Sequence, residues 1–225
     1  LPLCCKRTTH AGESRCAVSI YGQYEKTLEE ILADLYRKIE AIGEAERERT
    51  GARPYEHLHK RIKEDESMRE KCRRKGLPET EFSALHEVHD AIGIRVVCRF
   101  VDDVYLVVEA LKALPGIEVF EEKDYIRDVK PNGYRSYHLI LSVEAPFMDV
   151  EGRLPGRFFV ELQLRTLAMD SWASLEHEMM YKHRVKNREL LAAELKRCAD
   201  ELASCDLSMQ TIRDQIRASD VEPTR

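Results

Sequence analysis

The stretch GRFFVELQLR, residues 156–165, alternates two sets of side chains with the period of a β-strand. One set is apolar and should face the core: Phe158, Val160, Leu162 and Leu164. The opposite set is Phe159, Glu161, Gln163 and Arg165. A lone glutamate on a strand usually lies on a solvated sheet face. Because Arg165 shares the face of Glu161 and Gln163, the pattern favours a polar site.

The segments on either side predict further strands and helices. The dense apolar run 92–101 predicts a buried strand, and 117–128 and 134–143 predict two more. Helices are expected over 104–114, where Asp102 and Asp103 are candidate caps, and over 166–181. Toward the amino end we expect helices over 24–49, 55–75 and 79–88. The order of these helices and strands along the chain predicts a mixed α/β (α+β) domain in which helices flank a partly antiparallel sheet of four or five strands.

The end of the chain carries a heptad pattern. Leu191, Leu195, Cys198, Leu202, Cys205, Met209, Ile212 and Ile216 recur at alternating steps of four and three. This pattern predicts one or two long helices over 187–218. The apolar stripe has two interpretations of similar weight, packing on its own domain or contact in a homo-oligomer. We therefore expect a domain over 24–186 and a helical extension over 187–225.

Composition narrows the class of protein. The chain has 225 residues and a formal net charge of -5, so a globally basic RNA-binding protein is not indicated, although a local basic pocket is compatible. No apolar run approaches the ~20 residues of a membrane span. The seven cysteines form no CxxC pair, which favours free thiols in a cytoplasmic protein. Residues 1–23 predict a disordered tail.

The stretch KPNGYRSYH, residues 130–138, combines a tight turn with cations and aromatic rings. Such residues suit a phosphorylated base, because rings stack on the base and cations neutralise phosphates. The basic segment 55–75 predicts a helix, and one stripe of that helix could face the sheet and suit a triphosphate. That stripe consists of Arg61, Lys63, Ser67 and Lys71.

Two carboxylates are candidates for holding Mg²⁺. Asp90 precedes the predicted strand 92–101, and Glu161 lies on the polar face of the last strand. Mg²⁺ needs only one or two protein carboxylates when nucleotide phosphates supply further oxygens. His86 and His89 beside Asp90 allow a metal phosphohydrolase, but no second set of ligands is evident. Glycine-rich phosphate loops are absent, so side chains must hold any nucleotide.

Three segments resemble the synthetase domain of RelA/SpoT proteins, the (p)ppGpp synthetases. They are DAIGIRVVCRFVDD, EEKDYIRDVKPNGYRSYHLIL and VELQLRTLAMDSWASLEHEMMYK, and the resemblance covers roughly residues 61–182. The chain is similar to stand-alone small alarmone synthetases, since it is too short for the hydrolase and regulatory domains of the long enzymes. The resemblance implies a nucleotidyltransferase-like fold and transfer of the β,γ-pyrophosphate of ATP to the ribose 3′-hydroxyl of GDP or GTP. It also implies a homo-oligomer, plausibly a tetramer.

The resemblance implies a role for each matching residue. Asp90 would bind Mg²⁺, and Glu161 would be a second metal ligand or the base for the 3′-hydroxyl. Arg61 and Arg95 would sandwich adenine, with Lys63, Ser67 and Lys71 near the ATP phosphates. Tyr134 would stack on guanine. Phosphate contacts would come from Lys130, Arg135 and His138. Gln163 and Asp170 would orient the acceptor.

The chain departs from the family pattern at two places. It has Asp90-Ala91-Ile92-Gly93 where DIAG is common, and Asp170 where asparagine is common. Two other functions stay open at this point. One is a relative that pyrophosphorylates the tRNA 3′-end or makes adenosine alarmones, and the other is an idle nucleotide sensor or RNA-binding scaffold. The retained Asp90 and Glu161 argue against the idle sensor.

Overall fold

A mixed five-stranded sheet in the order β1-β2-β5-β4-β3 organises the fold. The computed structural model describes residues 19–181 and 187–220. The strands are β1 (Tyr55–Ile62), β2 (Ile92–Cys98), β3 (Ile117–Asp124), β4 (Tyr137–Ala145) and β5 (Gly156–Thr166). The helices are α1 (Glu25–Thr50), α2 (Asp65–Lys75), α3 (Val101–Lys112), α4 (Leu167–Tyr181) and α5 (Arg188–Asp220). The predicted mixed α/β class and the partly antiparallel sheet are confirmed.

The neighbouring strands β2 and β5 run parallel, and the other neighbouring pairs are antiparallel. β2 pairs in parallel with β5, while β1 pairs with β2, and β3 and β4 pair with each other and with β5, in antiparallel register. Alternate residues of β5 are buried as its sequence pattern predicts, with Val160, Leu162 and Leu164 fully inaccessible. They join the buried faces of α1 and α3 in one core. The opposite face of the sheet carries the polar side chains.

The prediction of one basic helix over 55–75 is wrong. Its first part is the edge strand β1, and only Asp65–Lys75 is helical. A bulge between Tyr55 and His57 interrupts the alternation of β1, which gives its apolar residues a spacing that resembles a helical face. Pairing with β2 decides the conformation, because the strand's own propensity is weak. Arg61 therefore belongs to the sheet, whereas Ser67 and Lys71 belong to α2.

Several predicted boundaries also shift. Helix α3 begins after Phe100 and has no side-chain cap, so Asp102 and Asp103 lie in its first turn instead of capping it. Carboxylates at that position still complement the helix dipole. The helix expected over 79–88 is only a π-helical turn, Ser83–Glu87. Strand β4 begins at Tyr137, so Tyr134 lies in the loop before it.

The predicted disordered tail 1–23 is wrong at its end. Ile20 and Tyr21 are buried, and the Tyr21 hydroxyl donates a hydrogen bond to the Lys63 carbonyl at 2.7 Å. The Ile20 amide donates to Asp65 at the start of α2, at 2.5 Å. The rest of the predicted tail, residues 1–18, lies outside the described residues.

Helix α5 packs on its own domain. Ala199 and Asp206 are buried, the Trp172 indole N–H donates to the Leu195 carbonyl at 2.8 Å, and the Thr166 hydroxyl lies 2.5 Å from the Asp206 carboxylate. Burial raises the pKa of Asp206. The face against the domain is therefore offset from the predicted heptad stripe, whose later half stays exposed.

Among the described residues, no helix has the length and apolar content needed to cross a bilayer.

Candidate active site

Two rows of paired residues cross the polar face of the sheet. The first row joins Arg61, Gly93, Glu161 and Ile140 on β1, β2, β5 and β4. The second joins His59, Arg95, Gln163 and His138 on the same strands. Each row places polar side chains on one face, because residues directly opposite each other in a sheet point to the same side. The predicted residues of β2, β4 and β5 are thus brought side by side.

A groove of about 190 Å³ lies over these rows. It is lined by His59, Lys60, Arg61, Gly93, Ile94, Arg95, Glu161 and Gln163. A side chain at Gly93 would approach the Arg61 guanidinium to 3.3 Å, so the glycine leaves room between that cation and the floor. A larger depression, of about 480 Å³, lies between α1 and the end of β4 and contains none of the predicted site residues.

Asp90 lies two residues before β2 and is held by two lysines. Its Oδ2 atom is 2.5 Å from Lys71 Nζ and 3.0 Å from Lys63 Nζ. Burial alone would raise the pKa of Asp90, but the two lysines outweigh it and hold the pKa below its ordinary value. The other oxygen, Oδ1, is buried and makes no hydrogen bond to the described residues. An ionised carboxylate with one unsatisfied oxygen is suited to a cation.

Glu161 faces the groove with little to restrain it. Among the described residues, its carboxylate accepts one hydrogen bond, from the Gln163 amide at 3.3 Å. Glu161 pairs with Gly93 of β2, three residues along the chain from Asp90. The described residues contain no group of three or more histidine, cysteine or acidic side chains arranged to hold a metal. The rings of His86 and His89, the residues that suggested a phosphohydrolase, contact Phe82, Phe120 and Phe159.

Two arginines share one carboxylate at the side of the groove. Asp170, from the first turn of α4, accepts from Arg165 Nη1 at 3.1 Å and lies 3.3 Å from Arg95 Nη1. Burial lowers the pKa of Arg95, as does the charge of Arg165, while Asp170 partly restores it. The single negative charge of Asp170 is therefore shared by two neighbouring cations, and the three groups together keep a net positive charge.

Tyr134, His138 and Lys130 form an aromatic and cationic group beside the groove. The Tyr134 hydroxyl lies 2.7 Å from His138 Nε2, and the Lys130 ammonium lies 4.8 Å from the centre of the Tyr134 ring. Burial lowers the pKa of His138 to about 4, with the charges of Arg165 and Lys130 contributing. His138 is therefore neutral at pH 7, and a ring N–H could donate a hydrogen bond to a phosphate without bringing a charge.

Arg135 is the predicted site residue that the structure does not bring to this group. Its guanidinium donates to the carbonyls of Gly133 and Ala199 and to the Asp200 carboxylate, at 3.1, 3.2 and 2.9 Å. It therefore ties the turn to α5. Ser67 is exposed on α2, on the same helix as Lys71.

The comparisons with known proteins match this arrangement. The family model described as a region found in RelA / SpoT proteins matches residues 60–186, more than half of the chain. The chain belongs to the RelA/SpoT family. The matched range contains both sides of the groove, from β1 to the end of α4.

Curated relatives of this RelA/SpoT protein share its length. It is 39% identical over 166 residues to GTP pyrophosphokinase YwaC of Bacillus subtilis, covering 74% of this chain and 77% of the relative. It is 36% identical over 197 residues to GTP pyrophosphokinase YjbM of the same organism, covering 86% and 87%.

Solved structures of the family share the fold. Small alarmone synthetase 1 from Bacillus subtilis, bound to its product pppGpp, superposes with a TM-score of 0.73 at 32% identity, covering 86% of this chain and 98% of that chain. A GTP pyrophosphokinase family protein from Streptococcus pneumoniae gives 0.74 at 31% identity, covering 88% and 94%.

Sequence reasoning about this RelA/SpoT chain gave no role to His59 and Arg165. The role of His59 was missed because its segment, which forms β1, was predicted to be a helix. Arg165 was visible, because it continues the alternation of Glu161 and Gln163 on β5. Its contacts to Tyr134, Gln163 and Asp170 depend on the loop before β4 and the start of α4, which the spacing of β5 does not reveal.

Proposed function

We propose that the chain is a GTP pyrophosphokinase of the small alarmone synthetase type. It transfers the β,γ-pyrophosphate of ATP to the ribose 3′-hydroxyl of GDP or GTP, giving AMP and (p)ppGpp for stringent-response signalling. The observation that carries the proposal is the groove lined by Arg61, Arg95 and Glu161. The lysine-bound Asp90 lies two residues before β2, the strand that pairs in parallel with the strand of Glu161. Pyrophosphoryl transfer needs positioned nucleotides and neutralised charge, which such a groove supplies.

The donor side consists of cations from β1, β2 and α2. Arg61 and Arg95 line the groove, and their planar guanidinium groups suit stacking on adenine. Lys63 and Lys71 converge at Asp90, where they would contact the ATP phosphates, with Ser67 nearby on α2. In the free protein these lysines pair with Asp90. The ATP phosphates would therefore compete with the Asp90 carboxylate for Lys63 and Lys71, which Asp90 already orients.

The acceptor side consists of the Tyr134 group. Tyr134 is the platform for guanine, Lys130 and the neutral His138 contact acceptor phosphates, and Gln163 and Asp170 orient the ribose. Arg135 is left out of the contact set, since its donors are engaged by the turn and by α5. Its proposed part is to hold the turn that carries Lys130 and Tyr134.

Mg²⁺ is the proposed metal. Asp90 fits it, because Oδ1 is ionised, buried and without a hydrogen bond among the described residues. When bound, Mg²⁺ would neutralise the charge that develops on the transferred phosphates. Asp90 would hold it together with nucleotide oxygens, and Glu161 is the second candidate ligand. In its alternative role, Glu161 accepts the proton of the 3′-hydroxyl as that oxygen attacks the β-phosphorus.

An acceptor assay tests the function. The protein is incubated with ATP, Mg²⁺ and one acceptor at a time, namely GDP, GTP, ADP or a tRNA pool, and nucleotides are separated by anion exchange. We expect AMP and a 3′-pyrophosphorylated guanosine with GDP or GTP, and no product with Glu161→Gln. AMP formation only with tRNA or ADP would contradict the guanosine assignment. If none of the acceptors gives AMP, the proposal that the chain is a transferase is contradicted.

The proposed assembly is a homo-oligomer, plausibly a tetramer. The exposed apolar residues of α5 support it, since Met209, Ile212 and Ile216 are each more than half exposed. The proposed location is the cytoplasm, and the free thiols of Cys72, Cys98, Cys198 and Cys205 support that location.

A further inference from the structure

Arg165 is a buried cation at the end of β5 that sequence reasoning left without a role. Its side chain is only 7% exposed, yet it lies beside the acceptor group. Removing a guanidinium from water is costly unless its donors are satisfied. The fold nevertheless retains one here, so its contacts identify what it does.

The terminal nitrogens of Arg165 are occupied by protein atoms. Nη2 lies 2.8 Å from the Tyr134 hydroxyl and 2.9 Å from Gln163 Oε1, and Nη1 lies 3.1 Å from Asp170 Oδ1. The guanidinium carbon also lies 5.2 Å from the centre of the Tyr134 ring. Both N–H groups of Nη2 are used, so a ligand could reach the donor that holds Tyr134 only by displacing a protein group, whereas the buried Nε makes no hydrogen bond to the described residues. The geometry therefore indicates an orienting role and not direct contact with a nucleotide.

The direction of each hydrogen bond follows from the donors available. An arginine only donates, so the Tyr134 oxygen must accept from Arg165. Its single proton can then point to His138 Nε2, 2.7 Å away, which accepts it when the ring proton is on Nδ1. This assignment requires a neutral His138 with its proton on Nδ1. Burial of that ring, which disfavours its charged form, agrees with the assignment.

We infer that Arg165 is a positioning residue that fixes the ring of Tyr134 through its hydroxyl group. The inference rests on the proposed function, in which Tyr134 is the platform for the acceptor base. Tyr134 lies in a loop and not in β4, so backbone pairing does not fix its ring. Two oriented hydrogen bonds, one from Arg165 and one to His138, supply that restraint. Preorganisation of this kind strengthens binding by removing the cost of ordering a side chain.

Asp170 makes this restraint possible. It shares Oδ1 between Arg165 and Arg95, so the cation that holds the acceptor platform and a cation of the donor side depend on the same carboxylate. Of these two arginines, however, it is Arg165 that donates to the Tyr134 hydroxyl. Its loss should therefore affect the acceptor more than ATP.

A double-mutant cycle tests the inference. GDP binding is measured by calorimetry for the wild type, Arg165→Met, Tyr134→Phe and the double variant, and KM is measured for GDP and ATP. We expect each single variant to weaken GDP binding about tenfold and the double variant to be weakened by clearly less than the product of the two effects, because both changes break the hydrogen bond between Arg165 and Tyr134. The KM for ATP should change by less than the KM for GDP.

Two further variants separate the hydrogen bond from charge and fold. Arg165→Lys keeps the charge but cannot bridge Tyr134, Gln163 and Asp170 together, so it should remain weak. The cycle is repeated with this variant in case Arg165→Met fails to fold. Arg157→Met, on the same strand but paired with Glu118 away from the groove, should bind GDP like the wild type.

The outcomes distinguish this inference from the proposed function. A wild type that binds neither GDP nor GTP contradicts the proposed function. If the wild type binds, three outcomes would overturn the role of Arg165 and leave the proposed function intact. They are effects that multiply in the double variant, full rescue by Arg165→Lys, and wild-type GDP binding by Arg165→Met.

Discussion

At the scale of single residues, the site depends on charges that the protein itself arranges. Asp90 is ionised because Lys63 and Lys71 offset its burial, and His138 is neutral because its burial is not offset. The same physical factor, transfer from water, therefore has opposite outcomes at the two sides of the groove. A carboxylate is kept charged where a metal is proposed, and an imidazole is kept uncharged where a hydroxyl needs an acceptor.

Replacing Asp90 should remove activity without unfolding the chain. Asp90→Asn keeps the size of the side chain but loses the charge, so we expect turnover to fall on the order of 100-fold or more. The initial rate of AMP formation at several Mg²⁺ concentrations measures this. Asp34→Asn is the matched control, because Asp34 also pairs with two cations, Arg37 and Lys38, but lies on α1. Similar losses in both variants would contradict the role of Asp90.

His138 should make the fold sensitive to acid. The pKa of His138 is about 4 in the folded chain, against an ordinary value of 6.5. Between these two pH values the unfolded chain therefore binds a proton on this ring that the folded chain does not. Its contribution to stability is therefore present above about pH 6.5 and is lost as the pH falls toward 4. The loss at pH 5 relative to pH 7.5 is on the order of 2 kcal/mol.

Urea unfolding at the two pH values measures this effect. His138→Gln keeps a hydrogen-bond acceptor for Tyr134 but does not titrate, so it should lose less stability on acidification than the wild type. His57→Gln, at an exposed position of β1, should behave like the wild type. An unchanged pH dependence in His138→Gln would show that the ring does not carry the effect.

At the scale of elements, the last helix, α5, holds the turn over residues 130–134. Gly133 has a φ of +89°, and a side chain there would lie 2.7 Å from the Ala199 methyl group on α5. Arg135 bonds the same helix at Ala199 and Asp200. The turn that carries Lys130 and Tyr134 therefore takes its position from a helix about 60 residues further along the chain.

Gly133→Ala should be more destabilising than a matched change elsewhere. Gly152 also has a positive φ, +79°, but a side chain there meets nothing within 4 Å, so Gly152→Ala has only the backbone cost. We expect Gly133→Ala to cost an additional ~1–3 kcal/mol from overpacking, measured by urea unfolding. The same change made in an Ala199→Gly background should cost less, because the clashing methyl group is gone. An equal cost in both backgrounds would contradict contact with α5.

The heptad stripe of α5 serves two surfaces because of helix geometry. A straight α-helix drifts about 20° per heptad relative to a seven-residue repeat. Leu195, Cys198 and Leu202 are therefore half-buried near the domain, whereas Cys205, Met209 and Ile212 have turned into solvent. Packing on its own domain is observed for the first half, and contact in a homo-oligomer stays a prediction for the second half.

At the scale of the whole molecule, the exposed half of this stripe should decide assembly. A charge at Ile212 would disfavour its burial between copies, so we expect Ile212→Glu to shift the chain to a smaller species. Sedimentation velocity at micromolar concentration measures the shift. Thr211→Glu, the adjacent exposed residue that points away from the stripe, is the control. A wild type that sediments as a monomer would contradict the proposed oligomer.

Much of the fold was predictable wherever one face of an element is buried. The alternation of β5, the dense apolar run of β2 and the helical spacing of α1 each identify their element, because burial imposes a period on the sequence. The prediction failed at β1, where a bulge disturbs that period and pairing with β2 supplies the missing preference. Site residues on well-patterned strands, such as Glu161 and Gln163, were accordingly predictable as a pair.

The sequence by itself determined the family, the mixed α/β class and the residue types of a nucleotide site, because these depend on local pattern and motif spacing. Only the tertiary structure decided which partners each residue has. It joined Asp90 to two lysines, Arg135 to α5, and Arg165 to Tyr134 and Asp170. These contacts link residues up to 65 positions apart, and their energies depend on burial and charge that no local stretch of sequence contains.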